Sequence, residues 1–111
     1  MPACPMLRRK ADFDAIGRRG TARSTELLVL RVLHTGGRET RVGLSTPRSL
    51  GGAVERNRVR RRLREIVRER YEEIDAGWDL LVIARPKAGD ASYAELREAF
   101  ASLLRRTELV G

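Results

Sequence analysis

The clearest amphipathic pattern in the chain runs from residue 54 to residue 71. Apolar side chains recur there at i, i+4, i+7, i+8 and i+12, which predicts one α-helix with a single buried stripe. The stripe consists of Val59, Leu63, Ile66, Val67 and Tyr71. Polar residues recur on the opposite side and form what we call the arginine ridge, about three helical turns long. The arginine ridge consists of Asn57, Arg61, Arg64 and Arg68, with Arg60 at its edge.

The residues at the start of the chain predict a tail and a shorter helix. Residues 1–9 contain two prolines and two arginines, which indicates a flexible basic tail. A helix is then predicted from Ala11 or Asp12 through Ile16. Gly20 is expected to follow it in the left-handed conformation that commonly closes a helix.

Two strands are predicted before the amphipathic helix. Residues 26–33 are rich in Leu and Val, and one of their two faces is wholly apolar. Arg31 on the other face indicates that this face is partly open to solvent or to a ligand. Residues 34–38 are predicted to form a hairpin turn into a second strand over residues 40–46. Gly43 in the middle of that strand indicates that another group approaches it closely.

The last third of the chain predicts a central strand and a final helix. Residues 78–84 are almost continuously apolar, which is typical of a strand covered on both faces. Ser92 and Glu95 fit an S-x-x-E capping box that opens the helix. With a further short strand near residues 21–24, the pattern predicts one α+β domain over residues 10–108. We expect a two-layer sandwich of helices on a mixed sheet of about four strands.

Charge is concentrated on the amphipathic helix. Across residues 54–70 eight arginines face three glutamates, so this segment has a net charge of +5, against a formal net charge of +8 for the whole chain. A guanidinium can grip phosphate through two parallel hydrogen bonds and can stack on a base, whereas lysine offers a point charge. The ridge therefore indicates a helix that binds a polyanion, with nucleic acid favoured, rather than an ordinary solvated face.

The inventory of reactive side chains is small. Cys4 is the only cysteine and His34 the only histidine. Neither an internal disulfide, a nucleophile with its base, nor a His-based metal site can be assembled from them. The chain lacks a signal-peptide core and any apolar run of about 18 residues, so we expect a cytoplasmic protein with no membrane partner. We also expect a protein that binds and does not catalyse alone, with no cofactor or metal held by its side chains.

A set of motifs spread along the chain resembles one protein family. The motifs are Arg41-Val42-Gly43-Leu44-Ser45, then Gly51 and Ala53-Val54, then Arg56-Asn57-Arg58-Val59-Arg60-Arg61, and finally Leu81-Val82-Ile83-Ala84-Arg85. Together they resemble the bacterial ribonuclease P protein subunit, and the resemblance extends over about residues 8–106. The Arg-Asn-Arg run is the signature of that family.

The resemblance implies a fold and a function. The fold is a ribosomal-protein-like α/β sandwich whose βαβ crossover is left-handed, although general rules favour a right-handed one. The function is to assist a catalytic RNA that uses Mg²⁺ to remove the 5′ leader from precursor tRNA. The implied partners are ribonuclease P RNA and precursor tRNA, with no obligate protein partner.

The resemblance also implies two sets of site residues. The RNA-facing set, to which the ridge adds Arg68, is Arg48, Arg56, Asn57, Arg58, Arg60, Arg61, Arg64 and Arg68. Arg56 is the exception in geometry, because helical extrapolation places it toward the buried stripe. A leader-binding cleft between the first helix and the sheet takes Phe13 and, as a replacement for an aromatic residue, Arg31. Gly17 and Leu28 stand at two other positions that are often aromatic in the family.

Three alternatives remain open from the sequence. A general or ribosome-associated RNA-binding protein of the same fold would show equal affinity for unrelated RNAs. A DNA-binding protein would place the arginine helix in a major groove, but no second helix of a helix-turn-helix pair precedes it. A self-sufficient nuclease would cleave without an RNA partner, which the side-chain inventory disfavours.

Overall fold

The computed structural model describes residues 4–107, which form a four-stranded mixed sheet and three α-helices. The helices are α1 (Lys10–Arg19), α2 (Ala53–Arg70) and α3 (Tyr93–Thr107), and the strands are β1 (Thr21–Ser24), β2 (Leu28–His34), β3 (Arg41–Ser45) and β4 (Trp78–Ala84). Short 3-10 turns lie at Arg48–Leu50, Tyr71–Glu73 and Pro86–Asp90. The predicted α+β fold is confirmed.

One face of the sheet packs against α2 and α3 and forms the main core. Leu28, Leu30 and Val32 of β2 are buried on this face, as their alternation predicts. Leu80 and Val82 of β4 are fully buried beside them. The side chains on the opposite face of β2 are only half-buried. Helix α1 packs on this face.

The strand order is β1-β2-β4-β3, so the hairpin predicted at residues 34–38 is wrong. β4 pairs antiparallel with β2 and parallel with β3, and it thereby separates the two strands that the hairpin was to join. β4 is the most apolar strand, and a central place covers both its faces. The β3-α2-β4 connection is a crossover between parallel neighbours, and its left-handed sense stays a prediction.

The segment before α1 pairs with the free edge of β3. Leu7 N donates to Val42 O at 2.8 Å, and Val42 N donates to Pro5 O at 2.9 Å. Leu7 is buried, and Met6 forms a parallel bridge with Val42. Residues 5–7 are therefore paired with β3 and do not belong to the flexible tail predicted for residues 1–9. Residues 1–3 lie outside the described residues.

Helix α1 is longer than the sequence predicts, because it continues through Gly17 to Arg19. Gly20 follows it with φ −77° and ψ 163°, which is extended and not left-handed. A Cβ at Gly20 would lie 2.6 Å from Ile16 O and 2.7 Å from Val32 O. Glycine is therefore needed there for a close approach between α1 and β2, and not for its conformational freedom.

The start of α3 is capped as predicted. Ser92 N donates to the Glu95 carboxylate at 2.8 Å, and Glu95 N donates to the Ser92 hydroxyl at 3.1 Å. These two bonds satisfy two backbone groups that a helix end otherwise leaves without partners. Within residues 4–107 no helix has the length and apolarity that crossing a membrane requires.

Candidate nucleic-acid interface

Helix α2 has the two faces that its sequence predicts. Val59, Leu63, Ile66 and Val67 are buried and pack on the sheet and on α3, and Tyr71 is half-buried just after the helix. The outward residues of the arginine ridge are exposed, namely Asn57, Arg61, Arg64 and Arg68. The predicted buried stripe and exposed arginine ridge of α2 are therefore both confirmed.

The ridge keeps much of its positive charge free. Arg68 pairs with Glu65 at 3.2 Å, and Glu69 is engaged by Arg97 of α3 at 3.1 Å. Among residues 4–107, neither Arg61 nor Arg64 lies within ion-pair distance of a carboxylate. The centre of the ridge is therefore the part of α2 best suited to an anionic partner.

Two arginines at the inner edge of the ridge are anchored at the end of β3. Arg60 Nη2 donates to the Thr46 hydroxyl at 2.6 Å, and Arg56 Nε donates to the Thr46 carbonyl oxygen at 3.0 Å. Arg56 is half-buried, which agrees with its predicted position toward the buried stripe. Sequence reasoning did not single out Thr46, although a buried threonine after a strand is a signal for a partner.

Arg58 and Arg62 lie on the opposite flank of α2, toward α3. Arg58 Nη2 donates to Gly89 O at 3.2 Å, and Arg62 Nη1 donates to Ala91 O at 3.2 Å. These bonds fasten α2 to the turn that precedes α3. The structure thus separates Arg58 from the ridge, and it gives this arginine a packing role within the chain.

The loop before α2 places Arg48 in solvent and a carboxylate over the glycines. Arg48 is exposed in its 3-10 turn. The Glu55 side chain lies 3.3 Å from the point where a Cβ on Gly51 would be, and its Oε2 is 3.2 Å from the same point on Gly52. A carboxylate at this place disfavours the binding of a phosphate by the backbone amides of Gly51 and Gly52.

An open groove runs along the exposed side of α2. It is lined by Val54, Asn57, Arg60, Arg61 and Arg64. Val54 is the exposed large hydrophobic residue among residues 4–107, at 75% exposure. The groove therefore combines arginine donors with one apolar surface at its end.

Helix α1 covers part of the second face of the sheet. Ile16 is fully buried there with Leu81 and Leu7, and Phe13 packs at the edge of this smaller core. A Cβ on Gly43 would lie 2.7 Å from the Phe13 ring, so the close approach predicted at Gly43 is confirmed. Phe13 is half-buried, so part of its side chain is accessible to solvent.

The sheet face beside α1, where the leader-binding cleft is predicted, carries mainly small and aliphatic residues around Arg31. Arg31 lies on this face and donates to Gly17 O at 2.9 Å. Leu28 does not belong to it, because it is fully buried on the other face. Val29 alternates onto the cleft side instead, and its neighbours across the sheet are Ile83 and Ser45. The sequence did not single out these three residues; alternation along β2 from Arg31 indicates Val29, whereas Ile83 and Ser45 join it only through the strand pairing.

Gly17 leaves open space at the mouth of the cleft. A Cβ added there would meet nothing within 4 Å. Gly17 is exposed on α1, one turn after Phe13. The structure therefore leaves free space around a Cβ at this position, which is often aromatic in the family.

An ion-pair network that the sequence did not indicate sets the position of α1. Arg41 of β3 donates two hydrogen bonds to Asp79 of β4 and reaches Asp12 of α1 at 3.4 Å. The hydrogen bond to Asp79 raises the pKa of Arg41, which therefore stays charged. An aspartate within an apolar strand was the available signal. Within residues 4–107, including this network, no three metal-ligating side chains converge.

Comparison with known sequences identifies the family. A sequence model of the family Ribonuclease P matches residues 1–108. A ribonuclease P protein component from Acidothermus cellulolyticus is 42% identical over 108 residues, with 96% of this chain and 90% of that protein covered. One from Bacillus velezensis is 38% identical over 104 residues, with 93% and 89% covered.

Solved structures agree with this identification. The ribonuclease P protein of Thermotoga maritima superposes with a TM-score of 0.82 at 31% identity, covering 91% of this chain and 96% of that one. The Staphylococcus aureus protein, at 24% identity and a TM-score of 0.88, shares the fold over 98% of this chain and 100% of its own. The chain therefore belongs to the bacterial ribonuclease P protein family, the protein component of an endoribonuclease whose catalysis lies in its RNA.

Proposed function

We propose that the protein binds ribonuclease P RNA through α2 and helps that RNA to remove the 5′ leader of precursor tRNA. The observation that carries this proposal is the exposed centre of the ridge, where Arg61 and Arg64 have no carboxylate partner among the described residues. Surface arginines without counter-charges repel one another, and a polyphosphate backbone relieves that repulsion. The proposed RNA-binding residues are Arg48, Arg56, Asn57, Arg58, Arg60, Arg61, Arg64 and Arg68.

These residues differ in what they offer to RNA. Arg61, Arg64 and Asn57 are exposed to solvent. The Arg58 guanidinium already donates a hydrogen bond to Gly89 O. Substitution of Arg58 would therefore affect RNA affinity partly by disturbing the packing of the turn before α3. We therefore expect the ridge residues to dominate RNA affinity.

The proposed contribution of the protein is electrostatic. Catalytic RNA and precursor tRNA are both polyanions, and their association otherwise requires a high concentration of Mg²⁺. Each phosphate that an arginine neutralises releases condensed counterions, which favours the complex most strongly at low salt. Hydrolysis itself belongs to Mg²⁺ ions held by the RNA. We expect this work in the cytoplasm.

We assign the single-stranded leader to the cleft between α1 and the open part of the sheet. Phe13 offers one ring face at its edge, and bases stack on such rings at about 1–3 kcal/mol each. Arg31 is held at Gly17 O and offers its remaining N–H groups to leader phosphates or bases. Aliphatic Val29 and Ile83 line the floor, so stacking contributes less than phosphate contacts do.

The test is cleavage of precursor tRNA by a bacterial ribonuclease P RNA at low Mg²⁺, with and without the protein. The ridge variant Arg61→Ala with Arg64→Ala removes two exposed charges that lack carboxylate partners. The matched control, Arg97→Ala with Arg105→Ala, removes two charges from α3 that pair with Glu69 and Glu98. We expect stimulation by the wild type and the control, and its loss in the ridge variant.

Two results would overturn the proposal. One is the absence of stimulation by the wild type together with equal affinity for unrelated RNAs, which supports a general RNA-binding protein. The other is an equal loss in the ridge and control variants, which shows that net charge alone matters. Cleavage by the protein without any RNA partner would instead support a nuclease.

A further inference from the structure

Thr46 follows β3 and is almost fully buried, at 3% exposure. Its hydroxyl accepts a hydrogen bond from Arg60 Nη2 at 2.6 Å, and its carbonyl oxygen accepts one from Arg56 Nε at 3.0 Å. Two guanidinium groups, from adjacent turns of α2, thus meet at one buried residue of the sheet.

This arrangement brings like charges together without compensation. Neither Arg56 nor Arg60 lies within ion-pair distance of a carboxylate in residues 4–107. Thr46 itself is neutral and supplies only oxygen lone pairs. Two cations held side by side in this way favour an anion between or above them.

Each anchor uses part of a guanidinium and leaves the rest available. Arginine carries five N–H donors. The bond from Arg56 Nε leaves both Nη groups of that residue, the end that grips phosphate through two parallel bonds. A long side chain that is already held in one orientation loses less conformational freedom on binding.

We propose that Thr46 is a positioning residue that presents Arg56 and Arg60 as a paired phosphate grip to the RNA partner. This inference rests on the proposed function, because it names how one part of the α2 surface is prepared for RNA. The carbonyl contact to Arg56 is independent of side-chain identity, so substitution of Thr46 tests the hydroxyl contact to Arg60.

The experiment is a double-mutant cycle on RNA affinity. Thr46→Val keeps the shape of the side chain and removes the acceptor, whereas Thr46→Ser keeps the hydroxyl. Arg60→Ala removes the group that Thr46 is proposed to hold. Affinity for ribonuclease P RNA is measured by titration for each variant and for Thr46→Val with Arg60→Ala, and urea unfolding measures stability in parallel.

We expect Thr46→Val to weaken RNA affinity about 3- to 10-fold, the equivalent of one hydrogen bond. Thr46→Ser should restore most of that affinity. In the Arg60→Ala background, Thr46→Val should have no further effect, since there is no arginine left to position. If Thr46→Val does not fold, Thr46→Ala removes the same hydroxyl and replaces it in the cycle.

Several outcomes separate this inference from the proposed function. Absence of RNA binding by the wild type removes the proposed function itself. A loss of affinity in Arg60→Ala without any loss in Thr46→Val overturns the positioning role alone. An equal loss from Thr46→Val in both backgrounds also overturns it, because the effect would then act through the fold and not through Arg60.

Discussion

Arg41 and Asp79 join β3 to β4 through a two-bonded ion pair. Arg41 Nε donates to Asp79 Oδ1 at 3.0 Å, and Nη2 donates to Oδ2 at 2.8 Å. The same guanidinium contacts the Asp12 carboxylate at 3.4 Å. Because Asp12 belongs to α1, this one arginine ties α1 to the two strands beneath it.

We predict that Asp79→Asn lowers the free energy of unfolding by about 1–3 kcal/mol. The Asp79 side chain is 5% exposed, but that of Arg41 is 37% exposed, so solvent offsets part of the loss expected for a buried pair. Urea denaturation measures the change. Asp12→Asn is the control, since its longer contact predicts a loss below about 1 kcal/mol. A larger loss from Asp12→Asn than from Asp79→Asn would contradict this account.

The contact between Gly43 and Phe13 gives a second prediction. A Cβ at Gly43 would lie 2.7 Å from the Phe13 ring, so Gly43→Ala should displace the ring and destabilise the protein by about 1–3 kcal/mol. Phe13→Leu in the same chain removes the ring atoms that clash. The double variant should therefore lose less stability than the sum of the two single changes. Simple additivity in thermal unfolding would show that the ring does not cause the loss.

The open space at Gly17 predicts a gain of function. Gly17→Phe places an aromatic side chain one turn after Phe13, and nothing lies within 4 Å of its Cβ. If the leader occupies this cleft, one more stacking partner should tighten binding of precursor tRNA about 5- to 100-fold. Gly17→Ala is the control for the higher helix propensity of a non-glycine residue. Equal affinities of the two variants for precursor tRNA would show that the leader does not bind at this position.

The capping box at α3 predicts a pH dependence. Hydrogen bonds from the Ser92 backbone amide and hydroxyl lower the pKa of Glu95 from its ordinary value of 4.5. A carboxyl whose folded-state pKa is depressed stabilises the fold above the ordinary value, and this contribution disappears as pH falls through the folded-state pKa. Glu95→Gln keeps the capping geometry but does not titrate. The wild type should therefore lose more thermal stability than Glu95→Gln between pH 5 and pH 3, roughly the range over which the carboxyl protonates. Parallel loss in both proteins would exclude the effect.

Local features of this protein follow from residue order alone. The alternation of Leu28, Leu30 and Val32 fixes the buried face of β2, and the helical period fixes the stripe and ridge of α2. The capping box at Ser92 could also be predicted from the sequence, because its two partners lie within one helical turn. Each of these features depends on neighbours in sequence, for which side-chain spacing determines which groups share a face.

Only the tertiary structure determined the features that depend on contacts between distant segments of the chain. In the folded sheet β4 lies between β2 and β3, because the most apolar strand gains most from a central position covered on both faces. The turn residues between β2 and β3 do not show that β4 will take the place beside β2. The tertiary structure also brought Arg60 to Thr46 and Arg41 to Asp79. Such bonds join residues from different elements, and an arginine in the sequence looks the same whether its guanidinium meets solvent, a carboxylate or a buried hydroxyl. Periodicity identifies the exposed arginine ridge of α2, whereas the fold determines which arginines of this helix are held by other segments and which are exposed.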